Sequence, residues 1–106
     1  MDVIVKLHAE LRKVFGCKEA RLPFDRDHVT LGEAIDRLLA ICPGGEQAAR
    51  LILASPIQAP HALAGNMINP TLILLVNDAD VRVTGGMGTT LSDGDVLTLL
   101  PTVHGG

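Results

Sequence analysis

Residues 31–42 carry one unbroken apolar stripe, and that stripe limits the folds open to this chain more than any other feature. Leu31, Ala34, Ile35, Leu38, Leu39 and Cys42 stand at i, i+3, i+4, i+7, i+8 and i+11, one face of an α-helix. Thr30 with Glu33 three residues on is a capping box at the start of the helix, and Pro43-Gly44-Gly45 is the stop. A helix with one apolar face must bury it against another element. The pattern around it supplies strands.

Val3, Val5 and Leu7 alternate with Ile4, Lys6 and His8, which predicts an N-terminal strand. Leu11, Val14 and Phe15 follow at helical spacing, with Gly16 ending a short helix. Ala20 to Phe24 alternates again. Pro23 has no N–H for a ladder, so this strand belongs at an edge. Glu46 to Leu53 reads as a second short helix. Leu72 to Val76 is an uninterrupted apolar run, suited to a central strand. Asn77-Asp78 starts a turn, and Val81-Arg82-Val83 reads as a short strand. Gly85 to Gly88 reads as a loop, Asp93-Gly94 as a turn in a hairpin region, and Val96 to Leu100 as the last strand. The first and last strands are expected to pair in parallel at the sheet centre. The resulting expectation is a single α+β domain over 1–106, with a mixed sheet of four to five strands on one main helix. Residues 43–70 read as an insertion or mobile loop, and 102–106 as a flexible tail.

Composition excludes several functions. A chain of 106 residues buries roughly 60–65% of its unfolded surface, enough for one core. Twelve acids against nine Lys and Arg give a net charge of −3, so no basic excess is available to neutralise phosphates. Phe15 and Phe24 are the only aromatics, too few for a base-stacking sheet. Nucleic acid is therefore not an expected partner. No apolar run is long enough for a membrane helix, and Met1-Asp2-Val3 has no basic leader, so no membrane association and a cytoplasmic location are expected. Cys17 and Cys42 are expected to be reduced and partly buried. His8, His28, His61 and His104 have no metal-ligand spacing, so no metal is expected. The Gly85–Thr90 cluster lacks the lysine of a phosphate-binding loop, and no nucleophile motif is present. No bound cofactor is expected, and the chain is not expected to be an enzyme by itself.

The last residues are the most informative for chemistry. A frayed end is the plain reading of Gly105 and Gly106. The chemical reading is that two residues without a Cβ let the main chain enter a slot too narrow for side chains, presenting the Gly106 carboxylate to a nucleotide or nucleophile. An acyl-adenylate would supply the leaving group that a carboxylate lacks, and sulfur could then replace AMP. At the root of this tail, Leu97 and Leu99 share one face of the last strand. If they meet the helix, Leu100 points outward and, with an outward residue of the Leu72–Val76 strand, forms a partner-docking patch.

The pattern V-N-x-x-D-V-R over 76–82, then Gly85-Gly86, then L-x-D-G-D over 91–95, then L-P-x-x-x-G-G over 100–106 resembles the MoaD/ThiS sulfur-carrier proteins of the ubiquitin-like β-grasp superfamily. It is closest in pattern to CysO-type carriers, which deliver sulfide to a PLP-dependent cysteine synthase. The small subunit of molybdopterin synthase is similar in the same region, with two prolines where this chain has Pro101-Thr102. The resemblance implies a flexible Gly-Gly tail on a β-grasp fold. It implies that an E1-like enzyme uses ATP to adenylate Gly106, which then becomes a thiocarboxylate, while Gly105 threads the enzyme's channel. Leu100, Pro101, Val103 and His104 would contact the activating and client enzymes. Two other classes stay open at this point: a modifier conjugated to lysines through Gly106, and a β-grasp subunit that uses its sheet as an interface.

Overall fold

Alternation along β1 (Asp2–Leu7) and β7 (Val96–Pro101) sets the sheet, in a computed structural model that describes residues 1–41, 45–52 and 71–102. Val3, Val5, Leu7, Leu97 and Leu99 all point to one face and are at most 1% exposed. The two strands pair in parallel, Val5 with Leu97 and Leu7 with Leu99. β2 (Glu19–Pro23) pairs antiparallel with β1 on one side, and β4 (Leu72–Val76) antiparallel with β7 on the other. β5 (Ala79–Asp80) completes the order β2-β1-β7-β4-β5. The expected parallel centre and mixed sheet are therefore present, and Pro23 lies on an edge strand opposite Asp2.

The striped helix is α2 (Leu31–Ile41), whose Leu31, Ala34, Ile35 and Leu38 are fully buried. Its capping box forms as the spacing requires. The Glu33 N–H donates to Thr30 Oγ1 at 3.2 Å, and Glu33 Oε1 accepts from the Thr30 N–H at 3.0 Å. Cys42, the last residue of the predicted stripe, lies outside the described residues. α1 (Glu10–Phe15) buries Leu11 and ends at Gly16, whose φ of 76° is the left-handed cap that glycine favours. α3 (Gly45–Ile52) adds Ala48 and Ile52 to the buried set. Burying each such Leu or Ile stabilises the fold by about 1.5–3 kcal/mol before entropy is counted.

Four expectations are corrected. Val81-Arg82-Val83 is not a strand but the body of a helical turn, α4 (Val81–Thr84). The cause is local: the Asp80 carboxylate accepts the Arg82 N–H at 2.9 Å and so caps a helix start. Leu72–Val76 is an interior strand, between β7 and the two-residue β5, but it is not buried on both faces as an unbroken apolar run suggests: only Leu72 and Leu74 are buried, because one face of the sheet is open. The Asp93-Gly94 turn does not close a hairpin. It joins β6 (Thr90–Ser92) to β7, and β6 pairs instead with β3 (His28–Thr30) in a separate ribbon. Three residues are too few to show a period, which is why β3 leaves no sequence signal. Finally, Cys17 is exposed in the turn after α1, not partly buried. Among the described residues no helix is long and apolar enough to cross a membrane, and no group of three His, Cys, Asp or Glu is placed to hold a metal.

Candidate functional site at the root of the tail

β7 delivers the chain to its tail at the same end of the sheet where β1 finishes, because the two strands run parallel. Along β7 the side chains divide by parity. Leu97 and Leu99 meet the core, while Leu100 is 37% exposed on the opposite, open face. Leu100 stands directly across from half-buried Ile73 of β4, so the expected pair of outward apolar residues exists and Ile73 is its second member. Leu75 and Thr98 pair one step further from the tail. The open face thus carries an apolar strip that begins at the tail root. Its flank on β5 is charged: Arg82 Nη2 lies 2.8 Å from Asp80 Oδ2. The Arg82 side chain and N–H hold the Asp80 carboxyl below its ordinary value, and Asp80 in turn raises the Arg82 guanidinium.

Pro101 is half-buried beside Leu72 and has no N–H to give the ladder. Thr102 resumes the pairing: its N–H donates to the Thr71 carbonyl at 2.9 Å, and its hydroxyl donates to the same oxygen. The last described residue is thereby held by main chain and side chain together. Val103, His104, Gly105 and Gly106 lie outside the described residues. Of the predicted site residues, the structure therefore brings Leu100 and Pro101 together with Ile73 and Leu72.

The conspicuous motif residues Asn77, Asp93 and Asp95 lie at the other end of β7. Asn77 Nδ2 donates to Asp95 Oδ1 at 3.0 Å, and Asn77 Oδ1 accepts the Val96 N–H at 2.9 Å. Asp95 Oδ2 accepts the Ser92 N–H at 2.8 Å, and Asp93 Oδ1 accepts the Asp2 N–H at 2.7 Å. Gly94, at φ 83°, donates its N–H to the Asp2 carbonyl. These residues bind turns to strands rather than presenting groups to a partner. The spacing V-N-x-x-D with L-x-D-G-D is the signal for this network.

The fold and this geometry agree with known proteins. The profile of the Urm1 (ubiquitin related modifier) family matches residues 12–106. Ubiquitin-related modifier 1 of Saccharomyces cerevisiae is 27% identical over 108 residues, spanning 100% of this chain and 99% of its own. The sulfur carrier protein CysO of Mycobacterium tuberculosis is 54% identical over 33 residues, 31% of this chain and 36% of its own. A chain in the crystal structure of the BexX/CysO complex from Amycolatopsis orientalis superimposes with a TM-score of 0.66 at 30% identity, covering 98% of this chain and 99% of that one. With the sheet order, the capped helix and a match that runs from α1 to the final glycine, the chain belongs to the Urm1 family of small ubiquitin-like β-grasp proteins, a group of sulfur carriers and modifiers.

Proposed function

We propose that this protein is a sulfur carrier whose Gly106 carboxylate is adenylated by an E1-like enzyme at the expense of ATP. A sulfur nucleophile displaces AMP, and the resulting thiocarboxylate donates sulfide to a biosynthetic client. The client is a cysteine synthase-type enzyme, or a molybdopterin synthase that takes this chain as its small subunit. The chain serves as co-substrate: it holds the reacting carboxylate, and its partners supply nucleotide and catalysis. The observation that carries this reading is the family match extending through Gly105 and Gly106, directly beyond a strand end held by Thr102. Gly105 gives the clearance a narrow channel demands. Leu100 and Pro101, with Val103 and His104, form the contact surface at the channel mouth. The CysO likeness supports sulfide delivery.

The likeness to ubiquitin-related modifiers supports a second reading, in which a lysine amine captures the same adenylate and forms an isopeptide bond. Intact mass spectrometry of the protein from its native cells separates the two. A replacement of one oxygen by sulfur confined to the C-terminal peptide is expected for the carrier. Unmodified carboxylate together with isopeptide conjugates that vanish on removal of Gly106 would establish the modifier instead. Removing Gly106 is expected to abolish loading completely with the melting temperature unchanged, since the described core ends at Leu99.

A further inference from the structure

All nine lysines and arginines of the chain fall within the described residues. Six have a partner. Lys13 lies 3.4 Å from Glu10, Arg21 3.7 Å from Asp2, Arg26 2.5 Å from Glu33 and Arg82 2.8 Å from Asp80. Arg37 donates to the Pro23 carbonyl at 2.8 Å, and Arg50 is also engaged. Lys6, Arg12 and Lys18 are the three without a side-chain partner among the described residues. The same three line one open cavity of about 200 Å³, together with Leu7, His8 and Glu19. The comparable cavity between Phe24 and α2 differs: its Arg26 and Arg37 are both committed.

The location of this cationic cavity matters. Lys6 pairs in register with Thr98, on the same open face as Leu100. One residue past the last register pair, Leu7 with Leu99, stand His8 and Leu100. The cationic cavity therefore reaches the apolar strip at the tail root through Lys6. An apolar centre with a charged rim is the anatomy of a protein–protein interface. Three neighbouring like charges, with Glu19 the one acid among the residues that line their cavity, gain from a complementary acidic face and steer its approach. Glu19 also breaks up the positive field, which disfavours a compact multivalent anion and favours carboxylates spread over a surface.

We infer that this cavity docks an acidic protein surface, whose carboxylates meet Lys6, Arg12 and Lys18 while its apolar part covers Leu100 and Ile73. The inference rests on the carrier reading only in identifying that surface with the enzymes that receive the tail. The test is an NMR titration of the full chain with a hexaglutamate peptide, with pyrophosphate in parallel. The peptide is expected to give saturable shifts at the amides of Lys6 to His8, Arg12, Lys18 and Glu19. These should vanish at molar salt, where the Debye length is about 3 Å. Arg12→Glu with Lys18→Glu should weaken the binding about tenfold or more, and the neutral pair Arg12→Gln with Lys18→Gln should weaken it less. Shifts equally strong around Arg26 and Arg37, or unaffected by salt or by either variant pair, overturn the inference. So does tighter binding of pyrophosphate at the same residues, which would make this a phosphate site. The titration reads the same whether or not Gly106 ever carries sulfur, so it and the mass measurement fail independently.

Discussion

The two ends of β7 are built on opposite principles. Where β7 begins, Asn77, Asp93 and Asp95 meet backbone or side-chain partners in one hydrogen-bonded network. Where it ends, Leu100 is exposed, and Lys6, Arg12 and Lys18 nearby on β1, α1 and the turn before β2 have no side-chain partner among the described residues. Satisfied polar groups hold strands in register, whereas unsatisfied exposed ones are available to another molecule. The comparison separates residues whose polar groups are engaged in holding the fold from residues left open to another molecule. The L-x-D-G-D motif is conspicuous in the sequence because it closes the fold, at the end of the sheet away from the tail.

The two faces at the tail end give the largest contrast in stability. Leu99→Ala removes a fully buried side chain and is expected to cost about 2–5 kcal/mol in chemical denaturation. Leu100→Glu, one residue on, is expected to leave the midpoint nearly unchanged while weakening partner binding. If Leu100→Glu unfolds the domain, the open face is not open. At the sealed end, Asp95→Ala strips acceptors from Asn77 and the Ser92 N–H and is expected to cost about 1–2 kcal/mol. The same measurement on Arg12→Gln and Lys18→Gln should stay within about 0.5 kcal/mol, since neither side chain makes a bond among the described residues. A loss as large as that of Asp95→Ala would erase the distinction between the ends.

The smallest effect concerns pH. The Thr30 N–H first, and Arg26 second, hold the exposed Glu33 carboxyl below its ordinary value of 4.5. The folded state therefore binds the proton less readily than the unfolded one. This contribution to stability is present above pH 4.5 and is lost as pH falls through the lower folded value. Glu33→Gln should flatten that part of the stability profile, and an unchanged acid limb would show that the box does not persist in solution.

Much of the fold was legible because its causes are local. The stripe of α2, its Thr30–Glu33 box and the left-handed Gly16 cap each involve residues a few positions apart. Alternation put Leu97 and Leu99 on one face of the last strand and Leu100 on the other, so part of the candidate site was readable too, and burial decided that the leucine pair faces the core. Val81 to Val83 misled because β-branched residues favour strands, and the Asp80 cap outweighed that preference. Other features were settled only by tertiary structure. β3 and β6 are three residues each, too short for a period, and become strands only by pairing with one another. Lys6, Arg12 and Lys18 lie on a strand, on a helix and in the turn before the next strand, with no shared periodicity. They line one cavity because α1 and β2 fold back on β1, and Lys6 comes beside the tail strand only because β1 runs parallel to β7, a contact between the two ends of the chain that no local pattern encodes. Periodicity and capping act within a few residues and so belong to the sequence alone, whereas a charged surface assembled across such distances exists only once the sheet has closed.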